Sequence, residues 1–75
     1  MMLLSNAYSD QKVEILSIVD SKLRLNLLKL GVQEGDIVQV SHKVSNGPLI
    51  LQHRSQEIAI GNENTKHIEV KHYVS

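Results

Sequence analysis

One stretch, Leu23 to Val40 (LRLNLLKLGVQEGDIVQV), dictates most of what this chain can become. Leu23, Leu27 and Leu30 recur at i, i+4 and i+7, which makes one apolar stripe on a helix. Asp20 or Ser21 is suited to cap that helix, expected over roughly 22–30, because its side-chain oxygen accepts from a free amide of the first turn. Gly31 fits the left-handed position that ends it. Gln33-Glu34-Gly35-Asp36 then reads as a turn with Gly35 at positive φ. From Ile37 the pattern alternates, with Val38, Val40, His42 and Val44 on one face and Ile37, Gln39, Ser41 and Lys43 on the other. The helical stripe can cover the open end of a barrel.

The remaining segments are short and alternating. Val13–Val19 is the first strand, with adjacent Ile15 and Leu16 marking a bulge or burial on both faces. Ser45-Asn46-Gly47-Pro48 is a turn, and Pro48, lacking an N–H, must start a strand or sit on an edge. Leu49–His53 and Ile58–Ile60 are further strands. Asn62 or Asn64 caps a helical turn through His67, and Ile68–Val74 is the last strand. The expectation is a mainly β fold: a small barrel of about five strands, one short capping helix and a helical turn before the last strand. Residues 1–11 are expected as a loosely ordered arm, because Ser5, Asn6, Ser9 and Asp10 favour irregular backbone, and residues 12–75 as the domain.

Composition narrows the function. The chain has 75 residues, enough for a single domain, and zero formal net charge. Duplex nucleic acid asks for a basic surface, and no global excess exists. There is no Phe and no Trp, so the core must be aliphatic. The stacking platforms of single-strand binders and the aromatic groove of proline-rich-peptide binders are missing too. Without cysteine there are neither disulfides nor thiolate metal sites, which fits a reducing cytoplasm. The opening MMLLSNAYSD lacks the basic and apolar runs of a signal peptide, and no apolar run approaches a membrane-spanning length. A soluble cytoplasmic protein is expected.

No catalytic constellation stands out. Ser17, Ser41, Ser45 and Ser55 have no nucleophile-elbow context, and neither phosphate-binding glycine motif occurs. An enzyme is not expected. His42, His53, His67 and His72 are the imidazole candidates for metal, without an HxH pair or helical i, i+4 spacing. His42 and His53 lie on neighbouring expected strands and are the weak candidates; no cofactor is expected, and ferrous or another divalent ion would be held weakly. Leu25 and Leu28 lie off the core stripe of the helix. They form either a broad packed face or an apolar docking patch.

The order LRLNLLKLGVQEGDIVQV, GPLIL and EIAIGNENTKHIEV resembles the FeoA family, ferrous iron transport protein A. Leu27, Leu30, Gly31, Gly35, Val38, Val40, Pro48, Ala59, Ile60, Ile68 and Val70 match by position, over roughly residues 12–71. Arg24 falls where members often carry a basic residue. Glu34 stands in place of the usual proline, Gly61 in place of a frequent arginine and Thr65 where alanine is common; the LxxLxxG opening is missing. The resemblance implies an SH3-like barrel and an accessory role in bacterial ferrous iron uptake. It further implies a partner, ferrous iron transport protein B, the membrane permease with a GTPase domain, contacted at the inner face of the membrane. Neither nucleic acid nor membrane insertion is implied, and self-association stays open.

Two other readings stand beside it. GVQEGDIVQV and NGPLILQ also resemble the swapped-hairpin DNA-binding modules of AbrB and MazE type, although only Lys12 is basic between Met1 and Val19. A generic SH3-like adaptor is the third. If the protein works by contact, the expected residues are Arg24, Leu25 and Leu28 on the helix and Lys43, Ser45 and Asn46 at a strand-connecting tip.

Overall fold

The structure, a computed structural model, describes residues 1–74; Ser75, the last residue of the expected domain, lies outside the described residues. In chain order the elements are β1 (Met2–Leu3), a 3-10 turn (Leu4–Asn6), β2 (Lys12–Ile18), α1 (Ser21–Lys29), β3 (Ile37–Lys43), β4 (Leu49–His53), β5 (Gln56–Ile60), α2 (Asn62–Thr65) and β6 (Ile68–His72). All pairings are antiparallel, and the strands lie in the order β1-β6-β2-β3-β4-β5. The mainly β expectation holds, with six strands among the described residues in place of five and a ladder whose two outer strands, β1 and β5, do not pair with each other there. The sheet is therefore open where a closed barrel was expected. The end of α1 meets the β5 edge there, where Gln56 Nε2 donates to Leu30 O at 2.6 Å.

The core is aliphatic, as the absence of Phe and Trp requires. Val13, Ile15, Ile18, Val38, Val40, Leu49, Leu51, Ile58, Ile60, Ile68 and Val70 bury the inner face. Register shifts at two places set which residues join them. Between Ile15 and Ser17 the β2–β6 ladder slips, so Leu16 is the extra residue and turns to solvent, as the adjacent apolar pair implies. Between Val40 and His42 the β3–β4 ladder slips as well. This second bulge reverses the phase of β3, so His42 and Val44, expected beside Val38 and Val40, are exposed.

Residues 1–11 are not a loose arm. β1 pairs with β6 (Met2 opposite Val70, Leu3 opposite Glu69), and Leu4 and Ala7 are fully buried. Ala7 N–H donates to Leu4 O, Leu3 N–H to Asn6 Oδ1, and Asp10 N–H to Val40 O. Leu4 ends the apolar run Met1–Leu4 and Ala7 stands alone between polar residues, so the segment carries no periodicity and reads as irregular.

Asp20 caps α1 as expected, its Oδ2 accepting from Leu23 N–H at 2.8 Å. Leu23 and Leu27 are buried, but Leu30 is 47% exposed. The helix ends at Lys29, and Leu30, the C-cap, has left helical geometry. Gly31 takes φ +84°, and Gly31 and Val32 donate to Leu28 O and Leu27 O. This Schellman closure carries Val32 into the core in place of Leu30.

Candidate functional site

With Leu23 and Leu27 fixed inward, α1 turns Leu25 and Leu28 outward, 53% and 51% exposed. They form one side of a groove of about 370 Å³, which Ser21, Arg24, Gln33 and Glu34 complete. The opposing side comes from the turn after the helix. Gly35 adopts φ +95°, and the turn is stitched to β2 by Gly35 N–H to Ile15 O (2.7 Å) and Ile15 N–H to Asp36 O (2.9 Å). Asp36 Oδ2 accepts from Gln33 N–H at 2.9 Å and holds the turn's start.

Both charged groups of the groove are anchored on one residue. Glu34 Oε2 accepts the Ile18 N–H at 2.9 Å, and Arg24 donates through one terminal guanidinium nitrogen to Ile18 O at 3.2 Å. Among the described residues Arg24 makes no ion pair with Glu34 or any other carboxylate. A guanidinium has five N–H donors, so most of its capacity stays free for a ligand. The groove thus presents half-exposed leucines flanked by a cation and an anion, each oriented by the backbone. That arrangement suits a protein surface or peptide segment.

Of the six expected contact residues, Arg24, Leu25 and Leu28 therefore converge. Lys43, Ser45 and Asn46 do not join them, because α1 precedes β3 and the tip follows it, at the strand's other end. Ser45 and Asn46 are exposed, and Asn46 takes φ +59° in the turn. Lys43 is a brace: its Nζ donates to Ser5 O at 2.6 Å and Ala7 O at 2.9 Å, tying the N-terminal segment to β3. The sequence reading missed Ser21, Gln33 and Glu34 as groove residues. The one signal was Glu34 itself, a charged residue at the usual proline position of the family it resembles.

The two weak metal candidates are not brought together. His42 is exposed opposite Ile50, while His53 is buried at the end of β4. His53 follows Leu49 and Leu51 on the inward face, a placement its i, i+2, i+4 position already encodes. Its Nε2 lies 3.5 Å from Asp36 Oδ2, and among the described residues its Nδ1 has no hydrogen-bond partner. A ligating imidazole normally anchors its other nitrogen on a carboxylate, as Nε2 near Asp36 would be, but a bound ion needs three or four converging ligands. Among the described residues no three His, Cys, Asp or Glu side chains cluster, and no helix is long and apolar enough to cross a membrane.

Comparison with solved structures finds the same fold in eight chains, among them the following three. A FeoA-like protein from Clostridium acetobutylicum, solved by NMR, superposes with a TM-score of 0.83 at 22% identity, covering 99% of this chain and 88% of that one. The FeoA protein from Chlorobium tepidum gives 0.87 at 20% identity, covering 97% and 71%. A crystal structure of an iron uptake regulatory protein (FeoA) gives 0.85 at 23% identity, covering 96% and 97%. No curated protein matches the sequence. The FeoA domain model matches residues 2–72, a span that includes the N-terminal strand and the EIAIGNENTKHIEV tail that a swapped-hairpin DNA-binding module would leave unplaced. The chain belongs to the FeoA domain family, whose members are associated with iron uptake.

Proposed function

We propose that this protein is an accessory component of bacterial ferrous iron uptake, acting in the cytoplasm by docking on the cytoplasmic part of ferrous iron transport protein B at the inner face of the membrane. Its role is assembly or modulation of that permease, not catalysis, and it needs no cofactor. The observation that supports the reading is the convergence of Arg24, Leu25 and Leu28 on one groove of about 370 Å³ at an end of the sheet that the helix covers. Buried apolar anchors beside an arginine are the usual composition of the energetic centre of a protein interface. The family match supplies the iron-uptake context.

The test is capture of the purified permease cytoplasmic domain by immobilised protein. Wild type is expected to retain it, and Leu28→Asp to lose at least about tenfold in affinity, since a carboxylate would be desolvated in the apolar centre. Equal capture by both proteins removes the groove from the interface. Loss on Ser45→Asp with no loss on Leu28→Asp would move the contact to the tip.

A further inference from the structure

Arg24 and Glu34 point into the same groove with opposite charges, and they are not paired with each other. Their positions are coupled through Ile18, whose carbonyl accepts from one and whose N–H donates to the other. The groove therefore holds a cation on its helix side and an anion on its turn side at a spacing set by a single peptide residue. Leu25 and Leu28 lie half exposed on the helix side. A surface related to itself by a two-fold axis must be complementary to itself. A patch of one sign fails that condition, whereas one cation and one anion on opposing walls meet it. Zero formal net charge removes the long-range repulsion between copies.

We propose that this groove is an isologous interface whose occupant is a second copy of this chain. Leu25 and Leu28 of each copy pack across the two-fold axis, and Arg24 crosses to Glu34 of the partner subunit while Glu34 receives Arg24 of the partner subunit. Self-association does not rest on the permease reading; its one consequence that does is that, because the same face serves both contacts, self-association masks the docking face and the free monomer is the docking form. Two leucines and two charges per copy make an interface below the size of stable complexes, so the equilibrium lies in the range of about 10 µM to 1 mM. It weakens with added salt, because the crossed pairs lie at the rim.

Sedimentation velocity on the purified full chain, across that concentration range, tests it. The expected result for wild type is a weight-average mass rising towards twice the monomer's. Arg24→Glu alone sets like charges opposite each other in both crossed pairs, and so does Glu34→Arg alone, so each variant is expected to stay monomeric. Their equimolar mixture restores opposite signs in both pairs and is expected to associate again. Each charge variant also loses a bond to Ile18, so amide spectra must show both folded. Leu28→Asp keeps both Ile18 bonds, must also be monomeric, and decides the matter if a charge variant does not fold. A wild type that stays monomeric throughout overturns the proposal and leaves the groove to a different partner. Folded charge variants that associate like wild type overturn it, as does a mixture that stays monomeric. Permease capture is read at concentrations where the chain is monomeric, so either proposal can fail without the other.

Discussion

The two ends of β3 use their charged side chains in opposite ways. At the helix end, Arg24 and Glu34 each make one anchoring bond to Ile18 and keep capacity to spare. At the tip end, Lys43 directs its ammonium at two backbone carbonyls of the N-terminal segment. All three residues read alike in a sequence, as charged groups free to face solvent. What separates them is which backbone lies within reach. A charge on the surface is available to a partner only when its own chain has not already engaged it. On that criterion the helix end keeps its charges available, and the tip end engages its ammonium within the chain.

The largest test of this contrast is on the platform beneath the groove. Leu27 is buried and Leu28, its neighbour in sequence, is half exposed. Leu27→Ala is expected to cost about 2–5 kcal/mol of unfolding free energy, from lost burial and the cavity left behind. Leu28→Ala is expected to cost under about 1 kcal/mol, because a half-exposed side chain loses little apolar contact. Urea denaturation measures both. Permease capture by Leu28→Ala should nevertheless fall. Equal stability losses at the two positions would mean that Leu28 is part of the core and that the groove is a packing defect.

Lys43 gives the next effect in size. Lys43→Met keeps much of the aliphatic stem and removes the ammonium that bonds Ser5 O and Ala7 O. The expected cost is about 1.5–3 kcal/mol, as for loss of hydrogen bonds to a charged group. It should be local. Amide exchange of Ala7, whose N–H bonds Leu4 O, should accelerate, while Val40 and Leu51 keep their protection. Unchanged Ala7 exchange together with weakened permease capture would return Lys43 to the docking residues and erase the contrast between the two ends.

Much of this architecture is legible in the sequence where one short-range rule decides the outcome. The Asp20 cap, the left-handed Gly31 and Gly35, the bulge at Ile15–Leu16 and the aliphatic core all follow from local chemistry. The errors arise where the end of the helix or a distant strand redirects the chain. Leu30 obeys the helical stripe on paper, but the Schellman closure substitutes Val32. His42 follows the alternation until the β3–β4 bulge reverses it. Leu4 and Ala7 become core only because β6 offers an edge to β1. The groove is half legible. Its helix side follows from leucines left over after the core stripe is assigned. Its Glu34 side depends on a hydrogen bond to Ile18, 16 residues away, which no local pattern encodes.

The smallest predicted effect isolates side chain from backbone at the tip. Asn46 sits at φ +59°, where residues with a Cβ are strained and asparagine is among the better tolerated. Asn46→Gly relieves that strain and frees the unfolded chain, two terms that oppose each other, so stability should change by no more than about 0.5 kcal/mol. The turn is kept, because Gly47 N–H still bonds Val44 O and Val44 N–H still bonds Pro48 O. The substitution therefore deletes one exposed amide side chain and little else. If the tip serves only to connect β3 and β4, permease capture is unchanged within error while Leu28→Asp abolishes it. If capture falls with Asn46→Gly at constant stability, the tip recognises a partner through that side chain. Two recognition surfaces would then flank β3, one at each end, and a partner engaging both would have to reach along the length of the strand.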